Sequence, residues 1–174
     1  ESVSEMESGK WVCRNCLEET TCRRLVRVMP VERLPFEVYC EGEDVIQRNR
    51  FPSVLACALS PQFQGVLRRH TLLPEDLEAA LDGRAVEKFH IYRIPEERRA
   101  AVTERVLACG PMTTASAFPG HLELTAPGVN KGAAVQGLFA RRGWSAKQVL
   151  PVGDPGNDLE LLFLAAWVLA TSNA

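Results

Sequence analysis

Residues 127–174 alternate predicted helices and strands, and this alternation restricts the fold more than any other feature of the sequence. A helix in APGVNKGAAVQGLFARRGW is opened by the capping residue Asn130 and closed by Gly143. The apolar run of SAKQVLPVGD predicts a buried strand, PGNDLELLFLAA predicts a helix, and WVLATSNA predicts a further strand. Strand–helix–strand order is typical of a parallel sheet covered by helices.

In such sheets, ligands bind beyond the carboxyl ends of the strands. Gly153 and Asp154 lie at the end of the predicted strand, so this position favours a functional site. The apolar residues expected to face inward are Ala134, Val135, Leu138 and Phe139 in the helix and Val149, Leu150 and Val152 in the strand.

Residues 20–126 follow a different pattern, in which short strands of alternating polarity are interleaved with helices. Phe36, Val38 and Cys40 alternate with polar neighbours ahead of the turn EGED, which predicts a β-hairpin. Further strands are predicted in AVEKFHIYRI, MTTASA and HLELTA, and helices in TTCRRLVRVMPVER (ending near Pro30), LPEDLEAALDG (beginning at Pro74) and PEERRAAVTERVLACG. Residues 50–73 give mixed signals, and residues 1–19 are expected to be disordered or peripheral.

The fold class predicted from these patterns is α/β. An α+β domain over residues 20–126, with helices on one side of a mostly antiparallel sheet, precedes part of a Rossmann-like parallel core over residues 127–174.

Charge and hydropathy exclude several classes of partner. The net charge is −2 and the isoelectric point is near 6.0, which gives no reason to expect binding to nucleic acid or to anionic membranes. No apolar run approaches the roughly 20 residues that span a bilayer. The N-terminal segment ESVSEMESGK is acidic and polar, unlike a secretory signal. We therefore expect a cytoplasmic protein with no nucleic-acid or membrane partner.

The six cysteines allow two interpretations. Three of them, Cys13, Cys16 and Cys22, lie in WVCRNCLEETTC, which contains one C-x-x-C pair. A structural zinc site usually takes four thiolate or imidazole ligands, commonly from two such pairs, and the three histidines are distant in sequence. Free cysteines in a reducing compartment are therefore favoured over a zinc module.

The turn VGDPGNDLE carries three oxygen-bearing side chains, those of Asp154, Asn157 and Asp158. Capping of the following helix would account for Asp154 or Asn157 individually. Three such side chains at one strand end also suit a hard cation such as Mg²⁺, which prefers oxygen ligands.

Lys131 opens a helix in GVNKGAA, where the helix dipole disfavours a cation. A solvated surface lysine is the simpler interpretation. A lysine in this unfavourable position would, however, suit a phosphate that is also met by the N–H groups of the helix.

These residues resemble the haloacid-dehalogenase superfamily of phosphatases, and within it the Cof-type sugar-phosphatase branch. The resemblance extends over residues 34–174 and is most specific over 121–174. It implies that Lys131, in a V-x-K-G sequence, is catalytic and steadies the phosphoryl group. It also implies that Asp154 in G-D-x-x-N-D is a Mg²⁺ ligand, that Asn157 and Asp158 support it, and that Asn157 contacts phosphate. Residues 20–126 then correspond to a cap domain that selects a small phosphorylated metabolite.

The sequence departs from this family in one important respect. Family members attack phosphate with an aspartate of a D-x-D-G-T strand, and this chain contains no D-x-D sequence. Ala166-Trp167 also replaces the usual Ala-Gly. These departures imply a cap with part of a core, shortened at both ends, that is inactive alone and could self-associate through the incomplete sheet.

Two functional hypotheses therefore remain open. The first is a magnesium-dependent phosphomonoester hydrolase acting on a small sugar phosphate or related metabolite. The alternative is a non-catalytic binding or interaction protein derived from the same family.

Overall fold

The computed structural model describes residues 2–4, 11–58, 60–116, 118–153, 158–165 and 167–170. The strands are β1 (Ser2–Ser4), β2 (Trp11–Arg14), β3 (Phe36–Cys40), β4 (Glu43–Val45), β5 (Thr71–Leu72), β6 (Val86–Ile91), β7 (Thr113–Ala115), β8 (Leu122–Thr125), β9 (Val152–Gly153) and β10 (Leu169–Ala170). The α-helices are α1 (Glu19–Glu32), α2 (Phe51–Leu55), α3 (Pro61–His70), α4 (Leu77–Leu81), α5 (Glu96–Leu107), α6 (Lys131–Arg142) and α7 (Leu159–Leu162). Short 3₁₀ turns occupy Arg48–Arg50 and Ala146–Gln148.

The main sheet has six strands in the order β5-β4-β3-β6-β8-β7. All neighbouring pairs are antiparallel except β4 and β5, which are parallel. The hairpin predicted around the turn EGED is confirmed, since β3 and β4 pair in antiparallel fashion with Val38 opposite Val45. The mixed α/β class with a mostly antiparallel sheet is therefore confirmed. The division at residues 126 and 127 into two domains stays a prediction.

One face of the main sheet carries the apolar core. Phe89 lies on the central strand β6 opposite Val38 of β3 and Leu124 of β8, and all three side chains are fully buried. Helices α1 and α5 supply further buried residues of the same core, among them Leu25, Met29, Val102 and Val106. This arrangement follows from the two periodicities of the sequence, because alternate strand residues and a helical stripe face the same interior.

Helix α1 continues past the predicted stop at Pro30 to Glu32 and closes at Arg33, which has a φ of 56°. The carboxylate of Glu32 is buried and lies 2.9 Å from Arg98 Nη2 and 2.6 Å from Arg105 Nη1 of α5. These contacts hold the final turn against α5, which explains why the proline does not end the helix. A second predicted boundary also differs, because helix α4 begins at Leu77 rather than at Pro74.

The start of α4 is fixed by its cap. Asp76 has an extended backbone, and its Oδ1 accepts a hydrogen bond from the backbone N–H of Ala79 at 3.1 Å. The capping side chain therefore determines the start of this helix, and Pro74 precedes it.

After the main sheet, α6 forms as predicted, with Asn130 at its N-terminus and Gly143 at its C-terminus in the left-handed conformation. Strands β9 and β10 pair in parallel, as the strand–helix–strand pattern predicts. The expected burial is wrong, however, because Leu150 and Val152 are 54% and 59% exposed. Of the predicted inward stripe of α6, only Phe139 is buried. A two-stranded sheet cannot cover these side chains, and α7 has only four residues.

Candidate functional site

Lys131 is positioned by the loop that joins β8 to α6. The Gly128 N–H donates a hydrogen bond to Thr113 Oγ1 of the neighbouring strand at 2.8 Å, which ties the loop to the edge of the sheet. Asn130 Oδ1 then accepts from the backbone N–H of Ala133 at 2.7 Å, so the helix begins at Lys131. A side-chain cap and a turn anchored on the sheet together set where the ammonium group lies.

The ammonium of Lys131 forms an ion pair with the carboxylate of Asp158, 27 residues further along the chain. The Lys131 side chain is 37% exposed and that of Asp158 is 13% exposed. Two of the residues predicted from separate motifs are therefore in direct contact. Asp154 and Asn157, the other two predicted site residues, lie outside the described residues.

Two glycines allow the helices and strands around this ion pair to approach closely. A Cβ atom at Gly132 would lie 2.6 Å from the backbone oxygen of Glu160 in α7. A Cβ atom at Gly153 would lie 2.7 Å from Asp158 Oδ2. Gly132, which follows Lys131, and Gly153, which precedes Asp154, are thus required sterically. Asp158 lies directly against the carboxyl end of β9.

A cleft of about 290 Å³ adjoins Lys131 on the side of the main sheet. It is lined by Thr113, Thr114, Ala115, Ser116, Glu123, Thr125, Val129, Asn130, Lys131 and Glu160. Glu123 also lies 3.3 Å from the ammonium of Lys88. The cleft therefore offers hydroxyl and amide groups, one ammonium and two carboxylates, and these are groups suited to a polar ligand.

The sheet face opposite the core is polar, which the sequence reasoning missed. Glu37 is fully buried there. Its Oε1 accepts hydrogen bonds from Tyr92 Oη and, at 2.8 Å, from Tyr39 Oη, and it lies 3.3 Å from His90 Nδ1. His90 Nε2 in turn lies 3.1 Å from His121 Nδ1. The signal was present in the same alternation that located the core, because every second strand residue faces this side.

Burial and hydrogen bonding shift several pKa values in this cluster. Burial alone would raise the pKa of Glu37, but the hydrogen bonds from His90, Tyr92 and Tyr39 outweigh it, and the net pKa is lowered. Burial and the nearby Glu37 charge raise the pKa of both tyrosines. Burial, followed by repulsion from His90, lowers the pKa of His121. Glu37 is consequently ionised, and the tyrosines are neutral donors.

The family follows from a match along nearly the whole chain. Residues 2–174 match the model of the family described as haloacid dehalogenase-like hydrolase. The chain belongs to this family. This confirms the resemblance drawn from the VNKG and GDPGND sequences and agrees with the mixed α/β fold described above.

Proteins similar to this chain include one relative by sequence and several solved structures that share its fold. An 80-residue stretch is 36% identical to a phosphoglycolate phosphatase of Methanoculleus marisnigri and covers 46% of this chain and 32% of that protein. A haloacid dehalogenase-like hydrolase from Bacteroides thetaiotaomicron has a TM-score of 0.77 at 21% identity, over 99% of this chain and 63% of that one. A sugar phosphatase of haloacid dehalogenase subclass IIB has a TM-score of 0.73 at 16% identity, over 95% of this chain and 59% of that one.

The chain is shorter than the proteins it resembles. It spans 32% of the curated relative and 62% and 63% of two similar structures. At these low identities the structural likeness shows the fold of this haloacid dehalogenase-like chain.

The cysteines show no arrangement typical of a metal site. All six are free of disulfides, and Cys22, Cys40, Cys57 and Cys109 are buried. Burial raises the pKa of Cys22 to about 12 and that of Cys40 to about 11, so these thiols are held protonated. No group of three histidine, cysteine or acidic side chains placed to hold a metal occurs among the described residues. Within the same residues, no helix has both the length and the apolar character needed to cross a bilayer.

Proposed function

We propose that this chain carries the phosphate-binding and magnesium-binding part of a phosphomonoester hydrolase. The proposal depends chiefly on the ion pair between Lys131 and Asp158. It joins a lysine at the start of a 12-residue helix to the acidic turn at the carboxyl end of β9, where ligands of parallel sheets collect.

In this proposal, Lys131 binds the transferring phosphoryl group. Lys131 is the first residue of α6, and helix N-termini attract anions. The ion pair with Asp158 restrains the long lysine side chain, so that less conformational entropy is lost when a phosphate binds. Thr113 and Thr125, which also line the cleft, offer hydroxyl groups to the remaining phosphate oxygens.

Asp154, Asn157 and Asp158 are proposed to hold Mg²⁺. The donor chemistry fits, because carboxylate and amide oxygens are the ligands that Mg²⁺ prefers. The Asp158 side chain lies against the carboxyl end of β9, which is possible because Gly153 has no side chain. Bound there, the ion would offset the negative charge of a phosphoryl group.

The charges of the cleft make phosphate binding dependent on the cation. Glu123 and Glu160 line the cleft together with Lys131, and Asp158 is paired to that lysine. A phosphate dianion entering without a cation would face more negative than positive charge. We therefore propose that phosphate and Mg²⁺ bind cooperatively.

The substrate is proposed to be a small sugar phosphate or related phosphorylated metabolite. Support comes from the subclass IIB sugar phosphatase and the phosphoglycolate phosphatase that the chain resembles. These 174 residues contain no D-x-D sequence, and neither Lys131 nor the acidic turn replaces an aspartate nucleophile. We propose that they bind phosphate without turning over a phosphoester. A cytoplasmic location stays a prediction.

Isothermal titration with inorganic phosphate tests the proposal. Wild-type protein should bind phosphate about tenfold more tightly with MgCl₂ than without it, because the cation relieves the repulsion in the cleft. Lys131→Met should weaken binding about tenfold or more, since a charge-assisted hydrogen bond is lost. Lys147→Met is the matched control, because Lys147 is an exposed lysine outside the cleft and its loss should leave binding unchanged.

Turnover of p-nitrophenyl phosphate distinguishes the two hypotheses. The expected result is phosphate binding with no magnesium-dependent hydrolysis by this chain alone. Robust hydrolysis would show that the chain needs no D-x-D nucleophile. Absence of both phosphate binding and hydrolysis would favour the non-catalytic binding or interaction protein.

A further inference from the structure

A second pocket, of about 380 Å³, lies on the polar face of the main sheet. It is lined by Tyr39, Cys57, Phe63, Lys88, His90, Tyr92, Phe118, His121 and Glu123. Glu123 also lines the cleft beside Lys131, so the two spaces share one wall. No residue of this second pocket belongs to the VNKG or GDPGND sequences.

The pocket is supported from behind by Glu37, which accepts three hydrogen bonds at Oε1. Its other oxygen, Oε2, is buried without a hydrogen-bond partner among the described residues. A buried carboxylate that leaves one oxygen unsatisfied costs stability. The buried Glu37 carboxylate is therefore better explained by how it orients the side chains bonded to it than by a contribution to folding stability.

The ionised carboxylate determines which ring nitrogens carry hydrogen. An ionised Glu37 can only accept, so His90 must donate through Nδ1–H. In neutral His90 the other nitrogen, Nε2, then carries a lone pair. The 3.1 Å contact with His121 Nδ1 therefore requires a hydrogen on that atom. His121 is left with an Nε2 lone pair, on the side of its ring away from His90.

We propose that the relay from Glu37 through His90 fixes His121 as a neutral hydrogen-bond acceptor in a pocket that binds the hydroxyl-rich, phosphate-free part of the substrate. This inference rests on the proposed function, because it assumes that the phosphate end occupies the cleft beside Lys131. His121 and Glu123 accept hydrogen bonds from ligand hydroxyl groups, and Lys88 donates one. Glu37 and His90 act as positioning residues.

The aromatic walls fit a sugar ring. His121 lies edge-on to Tyr92 with ring centroids 5.1 Å apart, and Phe118 lies 5.7 Å from His121. Phe118 and Phe63 are 54% and 41% exposed, so their apolar surfaces are open to a ligand. A sugar ring combines C–H groups that pack on such surfaces with hydroxyl groups that need hydrogen-bond partners.

The charges around the pocket disfavour a phosphate there. The groups that face it are the carboxylates of Glu37 and Glu123, the ammonium of Lys88, and the imidazoles of His90 and His121. Asp44 stands opposite Tyr39 across the β3–β4 pair and adds further negative charge. A phosphoester would thus orient with its anionic end at Lys131 and its hydroxyl groups at His121.

Imidazole ¹⁵N NMR at pH 8 tests the relay directly, because histidines are neutral above their usual pKa of about 6.5. In the wild type, His90 and His121 should both carry hydrogen on Nδ1. In Glu37→Gln, the tautomers of both should redistribute toward Nε2–H, while exposed His70 keeps its spectrum. A wild-type His121 with hydrogen on Nε2 would overturn the relay.

Binding of neutral methyl glycosides of glucose, galactose, mannose and xylose tests the pocket. At least one should bind the wild type, and His121→Phe should weaken that binding about tenfold through loss of the acceptor. His70→Phe, the same substitution at an exposed histidine, should have no effect. No glycoside binding, or undiminished binding by His121→Phe, would overturn the inference.

The two proposals fail separately. Lys131→Met should lose phosphate binding and keep glycoside binding, whereas His121→Phe should do the reverse. Loss of glycoside binding alone counts against the pocket. If the wild-type protein does not bind phosphate, that result counts against the proposed function.

Discussion

Residues 11–126 and residues 127–170 differ sharply in how much apolar surface they bury. The first region contains a large core built on the main sheet, with Phe89 and Leu124 fully buried in it, and a smaller buried cluster that includes Ile46 and Val54. In the second, Val129 and Phe139 are the buried large apolar side chains among the described residues. Large apolar side chains exposed in this second region are Trp144, Leu150, Val152, Leu159, Phe163, Trp167, Val168 and Leu169.

The difference separates the source of stability from the location of the proposed chemistry. Burial of apolar surface is the main stabilising term in folding, and it is concentrated in residues 11–126. Lys131 and Asp158 lie in the other region, where packing around them depends on close contacts at two glycines. Anything that covers the exposed apolar residues would therefore also stabilise the proposed phosphate site.

The largest expected effect comes from truncating the same residue type in each region. Phe89→Ala should reduce the free energy of unfolding by about 3–5 kcal/mol, because it leaves a cavity in a closed core. Phe163→Ala should change it by less than about 0.5 kcal/mol, since this side chain is 83% exposed. Urea unfolding followed by circular dichroism measures both.

The result for Phe163 also tests the predicted self-association. A large destabilisation by Phe163→Ala that grows with protein concentration would mean that a second copy covers this residue. Analytical ultracentrifugation over a range of concentrations would show the same dimer directly. If the protein is a monomer and Phe163→Ala changes its stability little, the difference in burial between the two regions stands. Self-association through Phe163 is then excluded.

An intermediate effect is expected where α6 approaches α7. Gly132→Ala places a methyl group 2.6 Å from a backbone oxygen of α7, and it should destabilise the protein by about 1–3 kcal/mol and weaken phosphate binding. Gly137→Ala on the same helix is the control, because nothing lies within 4 Å of its Cβ position. It should stabilise α6 by up to about 1 kcal/mol. Equal effects of the two substitutions would contradict the close approach.

The smallest effect concerns a carboxylate in the stable region. Burial, followed by repulsion from Glu37, raises the pKa of Asp44 to about 6. The folded protein therefore holds this proton more tightly than the unfolded chain, whose aspartate pKa is about 3.9. The contribution to stability is complete below pH 4 and is lost as the pH rises through 6.

Asp44→Asn removes this pH-dependent loss. It should stabilise the protein at pH 8 by about 1 kcal/mol, allowing for solvent screening, and change little at pH 4. Urea unfolding at the two pH values measures the difference. Exposed Asp82→Asn is the control and should show no such pH-dependent gain. Destabilisation by Asp44→Asn at pH 8 would mean that the ionised form has a favourable partner.

Much of the fold was predictable because the local signals were strong. The hairpin of β3 and β4, the cap of α6 at Asn130 and the parallel pairing of β9 and β10 follow from alternation, capping chemistry and strand–helix–strand order. The extent of α1 was not predictable, because Glu32 is held by arginines 66 and 73 residues away. The role of Glu37 was also hidden, since in sequence it resembles a solvated residue between two apolar ones.

For the candidate site, the sequence predicted that Lys131 and the acidic turn belong to one centre, since capping preferences and oxygen ligands are properties of short segments. The tertiary structure brought Lys131 and Asp158 into contact, whereas Asp154 and Asn157 lie outside the described residues. It alone brought Glu37, His90 and His121 together, because Glu37 and His90 lie on the paired strands β3 and β6, and His121 directly precedes β8, which pairs with β6. Local chemistry is encoded along the chain, whereas distances between remote side chains are set by packing.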